Sequence, residues 1–171
     1  HIETTPDGRE SLAQARACPN CSQECARCEN EGFVFMRDER GYRYTRPCPE
    51  CSPLHQRIKA YNEARLPARY LDRTFLTFEP TVEVLRRVHL SLFNCANRFV
   101  PGDRGFLLYG RPGSGKTHLL SAFIRRISLE KGIQARFIEF THLLSQLRSQ
   151  FDAGRGDTSV IRPLIDVEVL A

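Results

Sequence analysis

The stretch "GRPGSGKT", residues 110–117, decides how the rest of this chain is read. It matches G-x-x-x-x-G-K-[ST] at every defined position. An apolar run, "GFLLYG", leads into it and an amphipathic run follows, which is the strand–loop–helix context that gives the pattern its meaning. Each residue type answers a physical need. Gly110, Gly113 and Gly115 let the backbone turn tightly and bring its N–H groups against phosphate oxygens, and Arg111, Pro112 and Ser114 fill the loop between them. Lys116 neutralises the β- and γ-phosphates, Thr117 offers a hydroxyl to Mg²⁺, and the following helix adds the partial positive charge of its N-terminus. Residues 110–117 are therefore the candidate nucleotide-binding set, with Thr117 as the Mg²⁺ ligand. His118 follows directly and is carried with this set, although a helix-packing histidine is the simpler reading.

Outward from the loop, strand and helix patterns alternate. "GFLLYG" reads as a buried strand. A helix runs from about Lys116 to Lys131, closed by Gly132. "ARFIEF" reads as a second strand, Thr141 to Phe151 as a second helix, and "VEVLA" as a third strand. This βαβαβ order predicts a parallel sheet with helices packed on it. Upstream, residues 81–99 place Val84, Leu85, Val88, Leu92, Ala96 and Phe99 at helical spacing, with Thr81 as N-cap. "LPARYLDRTFLTFEP" is an irregular aromatic stretch in which Phe75 and Phe78 read as packing for the edge of the core. Residues 54–65 form a short helix that ends before Pro67.

Six of the seven cysteines fall in three pairs: "CPNC" (Cys18, Cys21), "CARC" (Cys25, Cys28) and "CPEC" (Cys48, Cys51). A Cys-x-x-Cys turn aims two thiolates at one point, and two such turns give the tetrahedral set that Zn²⁺ prefers. Between Cys28 and Cys48 lies "GFVFMRDERGYRYT", two alternating runs around a glycine-containing turn, which is a hairpin pattern. The expected zinc ligands are Cys25, Cys28, Cys48 and Cys51. Sets that include Cys18 or Cys21, disulfides, free thiols and an iron–sulfur site remain open. A closed four-thiolate site leaves no position for water, so the ribbon is structural, and zinc would supply roughly 10–16 kcal/mol of folding free energy. Cys95 reads as a small core residue.

"RGFLLYGRPGSGKTHLLSAFIRRI" resembles the Walker A region of AAA+ ATPases of the DnaC/IstB group, the bacterial replicative-helicase loaders and their transposition relatives. "ARLPARYLDRTFLTFEP" resembles the segment before the ATPase core in that group, and "CARCENEGFVF…RPCPEC" resembles the ribbon of some loader relatives. The resemblance implies an ATP-dependent loader that binds single-stranded DNA, docks on the replicative helicase and assembles as a homo-oligomer. It implies a place beside the adenine for the early part of the aromatic stretch, carried over to Tyr70. "DVEVLA" resembles the start of the Walker B strand, whose acidic pair is expected beyond Ala171; Asp166 and Glu168 sit too early in the strand to replace it. On this reading the chain holds the phosphate cradle without the hydrolytic machinery.

The expected organisation is a flexible lead-in (1–17), a zinc ribbon (18–52), a linker with the adenine-side segment (53–80) and the N-terminal part of an AAA+ domain (81–171). The fold class is α/β, a P-loop NTPase parallel sheet preceded by the ribbon. At 171 residues there is room for one small domain and part of another, and the first residue, His1, reads as an internal one. The net charge of +5 is spread as a solvated surface. No apolar run reaches bilayer length and no signal sequence opens the chain, so a reducing, cytoplasmic setting with no membrane partner is expected. Two other function classes stay open: a transposition-associated AAA+ regulator, and a P-loop kinase of small molecules with an unrelated metal knuckle. A structural zinc adaptor with a vestigial loop is the weakest competitor.

Overall fold

The computed structural model describes residues 2–7, 10–18, 24–152 and 158–171. Its centre is a helix, α3 (Lys116–Lys131), that leaves the glycine loop and is buried along most of its length. Leu119, Ala122, Phe123, Ile124 and Ile127 are at most 2% exposed, and so are Ser121 and Ser128. The small residues let neighbouring helices approach closely. Ser128 satisfies its own hydroxyl by donating to the Ile124 carbonyl at 2.7 Å. Gly132, in the left-handed conformation, ends the helix as expected, its N–H donating to the Ser128 carbonyl.

Two helices pack against α3: α1 (Ser52–Glu63) and α2 (Glu83–Arg98). α1 contributes Ala60 and Tyr61, the latter 1% exposed, and Ala64 and Leu66 continue the buried run beyond its end. α2 buries Leu92 and Ala96, followed by Phe99, with Leu85 and Val88 against the same core. Val84 is off this stripe and exposed, because it lies about 100° around the helix from Leu85. The predicted cap moves too: Val82 occupies the N-cap position with no side-chain bond, and Thr81 lies outside the helix.

The sheet is smaller than the alternation predicted. Among the described residues there are three two-stranded pairs. The parallel one joins β5 (Ala135–Arg136) to β6 (Val169–Leu170), in the register Ala135↔Val169. Bonds from Ile138 N–H to the Ala171 carbonyl and from Ala171 N–H to the Arg136 carbonyl extend it. These are the expected second and third strands. The expected first strand, 105–110, is extended chain with no ladder partner among the described residues. Phe106 packs edge-on to Phe123 and Leu108 leans on the core, while Leu107 and Tyr109 are 83% and 89% exposed. The period-2 alternation is present, but only one face is covered. α4 (Phe140–Asp152) matches the second predicted helix within a residue at each end, and α5 (Thr158–Ile165), which contains Pro163, was not foreseen.

The lead-in also departs from expectation. β1 (Ile2–Asp7) and β2 (Glu10–Ala15) form an antiparallel hairpin, and β2 docks on the helical body. Ala13 and Ala15 are 1% and 3% exposed. The Ala13 N–H donates to the Leu66 carbonyl at 2.8 Å. Asn62 on α1 clamps Ala15 from both sides: its Oδ1 accepts from the Ala15 N–H at 2.7 Å and its Nδ2 donates to the Ala15 carbonyl at 3.2 Å. Methyl side chains allow this close backbone approach and give no amphipathic signal in the sequence.

The ribbon hairpin follows the predicted pattern. β3 (Phe33–Arg37) pairs antiparallel with β4 (Arg43–Pro47) from Phe33↔Pro47 to Arg37↔Arg43. Asp38 organises the turn, its Oδ1 accepting from the N–H groups of Arg40 and Tyr42. Asn62→Ala should leave two polar backbone groups of Ala15 without a partner and destabilise the chain by about 1–3 kcal/mol, read as a lower urea midpoint; a variant as stable as the parent would show that the hairpin is not held by this clamp.

Candidate nucleotide site and cysteine cluster

The loop at 110–115 arrives from the extended 105–110 segment and ends at Gly115, the N-cap of α3, which has φ +83°. Lys116 turns back over it. Its ammonium donates to the carbonyls of Gly110 at 3.0 Å and Arg111 at 2.8 Å and lies 3.5 Å from the Ser114 hydroxyl. Three acceptors thus converge on the one cation at the loop's mouth. Thr117 is exposed at the first turn of α3, beside the same opening. Backbone N–H groups of the loop, the lysine and the free first turn of a buried helix make an anion cradle, and this is chemistry suited to a polyphosphate with a divalent cation. Arg111 and Pro112 lie in the exposed turn of the loop.

The floor of this cradle is an aromatic ring. A Cβ built on Gly115 would meet Phe78 Cε2 at 2.5 Å, closer than atoms approach. Phe78 is itself fixed by rings on two sides, His118 edge-on at 5.2 Å and His89 of α2 at 5.5 Å. His118 takes the helix-packing role: its Nε2 lies 2.8 Å from the Thr74 carbonyl, which requires the proton on that nitrogen. The 74–78 segment is thereby pinned to the start of α3. Phe75 and Phe78 are buried, as their reading as core residues expected. Tyr70 is further along. It packs edge-on to Phe137 at 5.7 Å and its hydroxyl reaches Glu139, which also pairs with Arg69. The aromatic side chain in contact with the loop is thus Phe78. The sequence contains no local sign of this contact, because a missing Cβ at one position and a ring 37 residues earlier are linked only by the fold. A cavity of about 850 Å³ lies between Arg69, Arg136, Glu139, His142 and Ser149, away from the loop.

Asp166 and Glu168 do structural work. Glu168 Oε2 accepts from the Gln134 N–H at 2.7 Å, and Asp166 pairs with Arg162.

The second site is built by the two turns that flank the hairpin. Cys25, Cys28, Cys48 and Cys51 bring four sulfurs within 4.8 Å of one another. Cys25 and Cys48 are 3.6 Å apart and Cys28 and Cys51 3.4 Å. A tetrahedral zinc with bonds of about 2.3 Å sets sulfurs about 3.8 Å apart, so the donor set fits that ion in kind and in spacing. Asn30 holds the first turn by accepting from the Cys25 N–H at 2.8 Å. The Cys51 N–H lowers the Cys48 thiol to about 7, whereas burial raises Cys25 and pushes Cys51 up to about 12. Cys48 thus gives up its proton more readily than Cys25 or Cys51, for which a bound cation would offset the cost of burial. Cys18 is not part of this set, and Cys21 lies outside the described residues. Cys95 packs against the main core.

Gly115→Ala combines an unfavourable φ with a ring clash, whereas the Cβ at Gly113 would meet open space. Gly115→Ala should lower the thermal midpoint further than Gly113→Ala, and Phe78→Ala should recover part of the difference in a double-mutant cycle. Equal costs for the two glycines would show that the ring does not support the loop.

The description "IstB-like ATP binding protein" matches residues 56–171, which contain most of α1, the pinned 74–78 segment, the loop and both parallel strands. An Escherichia coli (strain K12) protein, the uncharacterized YdaV, is 23% identical over 126 residues, covering 72% of this chain and 50% of YdaV. The chain therefore spans about half the length of the curated relative it matches. No solved structure matches significantly. The cysteine cluster lies outside the matched segment. A cradle of this geometry within a family match over two thirds of the sequence has one conclusion: the chain belongs to the IstB-like ATP-binding proteins.

Proposed function

We propose that this chain is the ATP-binding part of a DNA-replication AAA+ protein that loads a helicase. The observation that carries the reading is the Lys116 ammonium, held over the glycine loop by the Gly110 and Arg111 carbonyls at the first turn of α3. Lys116 and the loop amides would hold the phosphates of ATP, and the Thr117 hydroxyl would hold Mg²⁺. The bound nucleotide supplies the free energy of phosphoryl transfer when the residues that position water are brought to it. The resemblance of the 104–127 and 64–80 segments to helicase loaders supports the client named here, with single-stranded DNA and the replicative helicase as partners and a homo-oligomer as the working form. A transposition-associated regulator uses the same chemistry, and the resemblance to the DnaC/IstB group, which includes transposition relatives, supports it. The protein captured by the full-length parent, helicase or transposase, separates the two.

Zinc at Cys25, Cys28, Cys48 and Cys51 is the second part of the proposal. The geometry of the four sulfurs supports it, together with the scarcity of other core in the ribbon, where, among the described residues, Val34 is the one non-cysteine hydrophobic side chain packed on the cluster. The ion would hold the two turns together and do no chemistry on substrate. No described helix is long and apolar enough to cross a membrane.

Lys116→Ala should weaken binding of a fluorescent ATP analogue at least tenfold with little change in the thermal midpoint; unchanged affinity would remove the nucleotide reading. Purified chain should carry one zinc, measured by atomic absorption and released by a mercurial. Cys48→Ser should lose it while retaining nucleotide binding, and a metal-free parent with reduced thiols would overturn the zinc assignment.

A further inference from the structure

The hairpin of β3 and β4 projects from the cysteine cluster as an arm, with Val34 half-buried at its base and Met36 and Tyr44 exposed further along the same face. Val34 packs on the sulfurs, so the residues alternating with it point away: Phe33, Phe35 and Arg37 on one strand, Arg43, Thr45 and Pro47 on the other. Nothing among the described residues covers this outer face. Phe35 is 68% exposed, and Phe33 stands edge-on to it at 5.6 Å. Arg37 and Arg43 face each other across the ladder. Like charges directly opposite weaken a hairpin, and neither arginine has an ion-pair partner among the described residues, nor do Arg40 and Arg46. Two carboxylates lie at the turn: Asp38 is committed to the backbone there, and Glu39 forms no ion pair among the described residues. The other acidic residues of the ribbon, Glu24, Glu29, Glu31 and Glu50, sit at the cysteine end.

A pair of arginines with no direct ion-pair partner, beside open rings, fits one kind of occupant, a flexible polyanion that also carries flat apolar groups. We infer that the outer face of the β3–β4 arm binds single-stranded DNA, its phosphates on Arg37 and Arg43 and its bases stacked on Phe35 and Phe33. A duplex hides its bases from such rings. An acidic peptide satisfies the arginines and leaves the rings without a use. The inference deepens the DNA-directed reading above and rests on it.

The test is fluorescence anisotropy of a labelled oligo-dT with the whole chain, at several salt concentrations. Arg37→Ala/Arg43→Ala should weaken binding at least tenfold and flatten the slope of log K against log salt by about 1.4, since each single-strand phosphate contact contributes about 0.7. Phe35→Ala should weaken binding at least fivefold and leave the slope unchanged. All three positions are exposed, so thermal midpoints and metal content should match the parent. If both variants bind oligo-dT as the parent does, the arm is not the site, while the DNA-directed reading stands. If the parent binds no oligo-dT, the inference fails, and the Lys116→Ala experiment still decides nucleotide binding on its own. Tighter binding of oligo-rU, or displacement of oligo-dT by poly-glutamate with no effect of Phe35→Ala, would likewise overturn it.

Discussion

One helix has to be buried and open at once. α3 gives almost every turn to the core, yet its first turn must stay free to meet a phosphate. The chain meets this constraint with Phe78, which packs under Gly115 where any side chain would collide. The ring fills the space against Gly115 that a side chain would otherwise take. His118 and His89 hold the ring from two sides, and each spends a nitrogen on a backbone carbonyl, of Thr74 and Phe75 respectively. The pinned 74–78 segment therefore belongs to the loop's foundation, even though it is remote in sequence.

The cation at that mouth is one of only three lysines against an arginine-dominated background. Its surroundings show why the exception is useful. Two carbonyls and a hydroxyl converge on a single point, and a compact ammonium with three rotatable donors suits them where a planar guanidinium would not. Lys131, at the other end of the same helix, is used in the same manner, donating to the Phe99 carbonyl at 2.8 Å. Arginines appear where area and reach are wanted: Arg126 lies over the Phe93 ring, and Arg125 reaches the Leu71 carbonyl. Charge alone does not distinguish these positions, but donor geometry does.

What the sequence disclosed divides along the range of the interactions involved. The loop, α3 and its glycine terminator were legible because their signals are local and chemically specific. The ribbon hairpin was legible from cysteine spacing and alternation, and the four expected cysteines are the ones the fold brings together. The lead-in was misread because Ala13 and Ala15 carry no pattern, and their burial depends on Asn62, 47 residues from Ala15. The 105–110 segment was read as a buried strand from its apolar residues, but a strand is defined by its neighbours, and the described residues supply none. The Phe78–Gly115 contact was invisible for the same reason, since the informative atom is the one glycine lacks.

The two sites meet through α1. Cys51 contributes a sulfur to the cluster and also stands at the N-cap of α1, its carbonyl accepting from the N–H groups of Leu54 and His55. The other end of α1 carries Asn62, which clamps β2, and Ala64, whose carbonyl accepts from the Phe137 N–H beyond β5. Along its side the helix packs on α3 through Tyr61 and its neighbours. A unit with almost no apolar core is thus anchored to a unit that has one by a shared residue and a continuous helix, with no flexible segment between Cys51 and Glu63. The direction of the ribbon arm is then set by the same packing that sets the direction of the phosphate loop. Such an arrangement suits a protein that must present one surface at a defined angle to the nucleotide it holds.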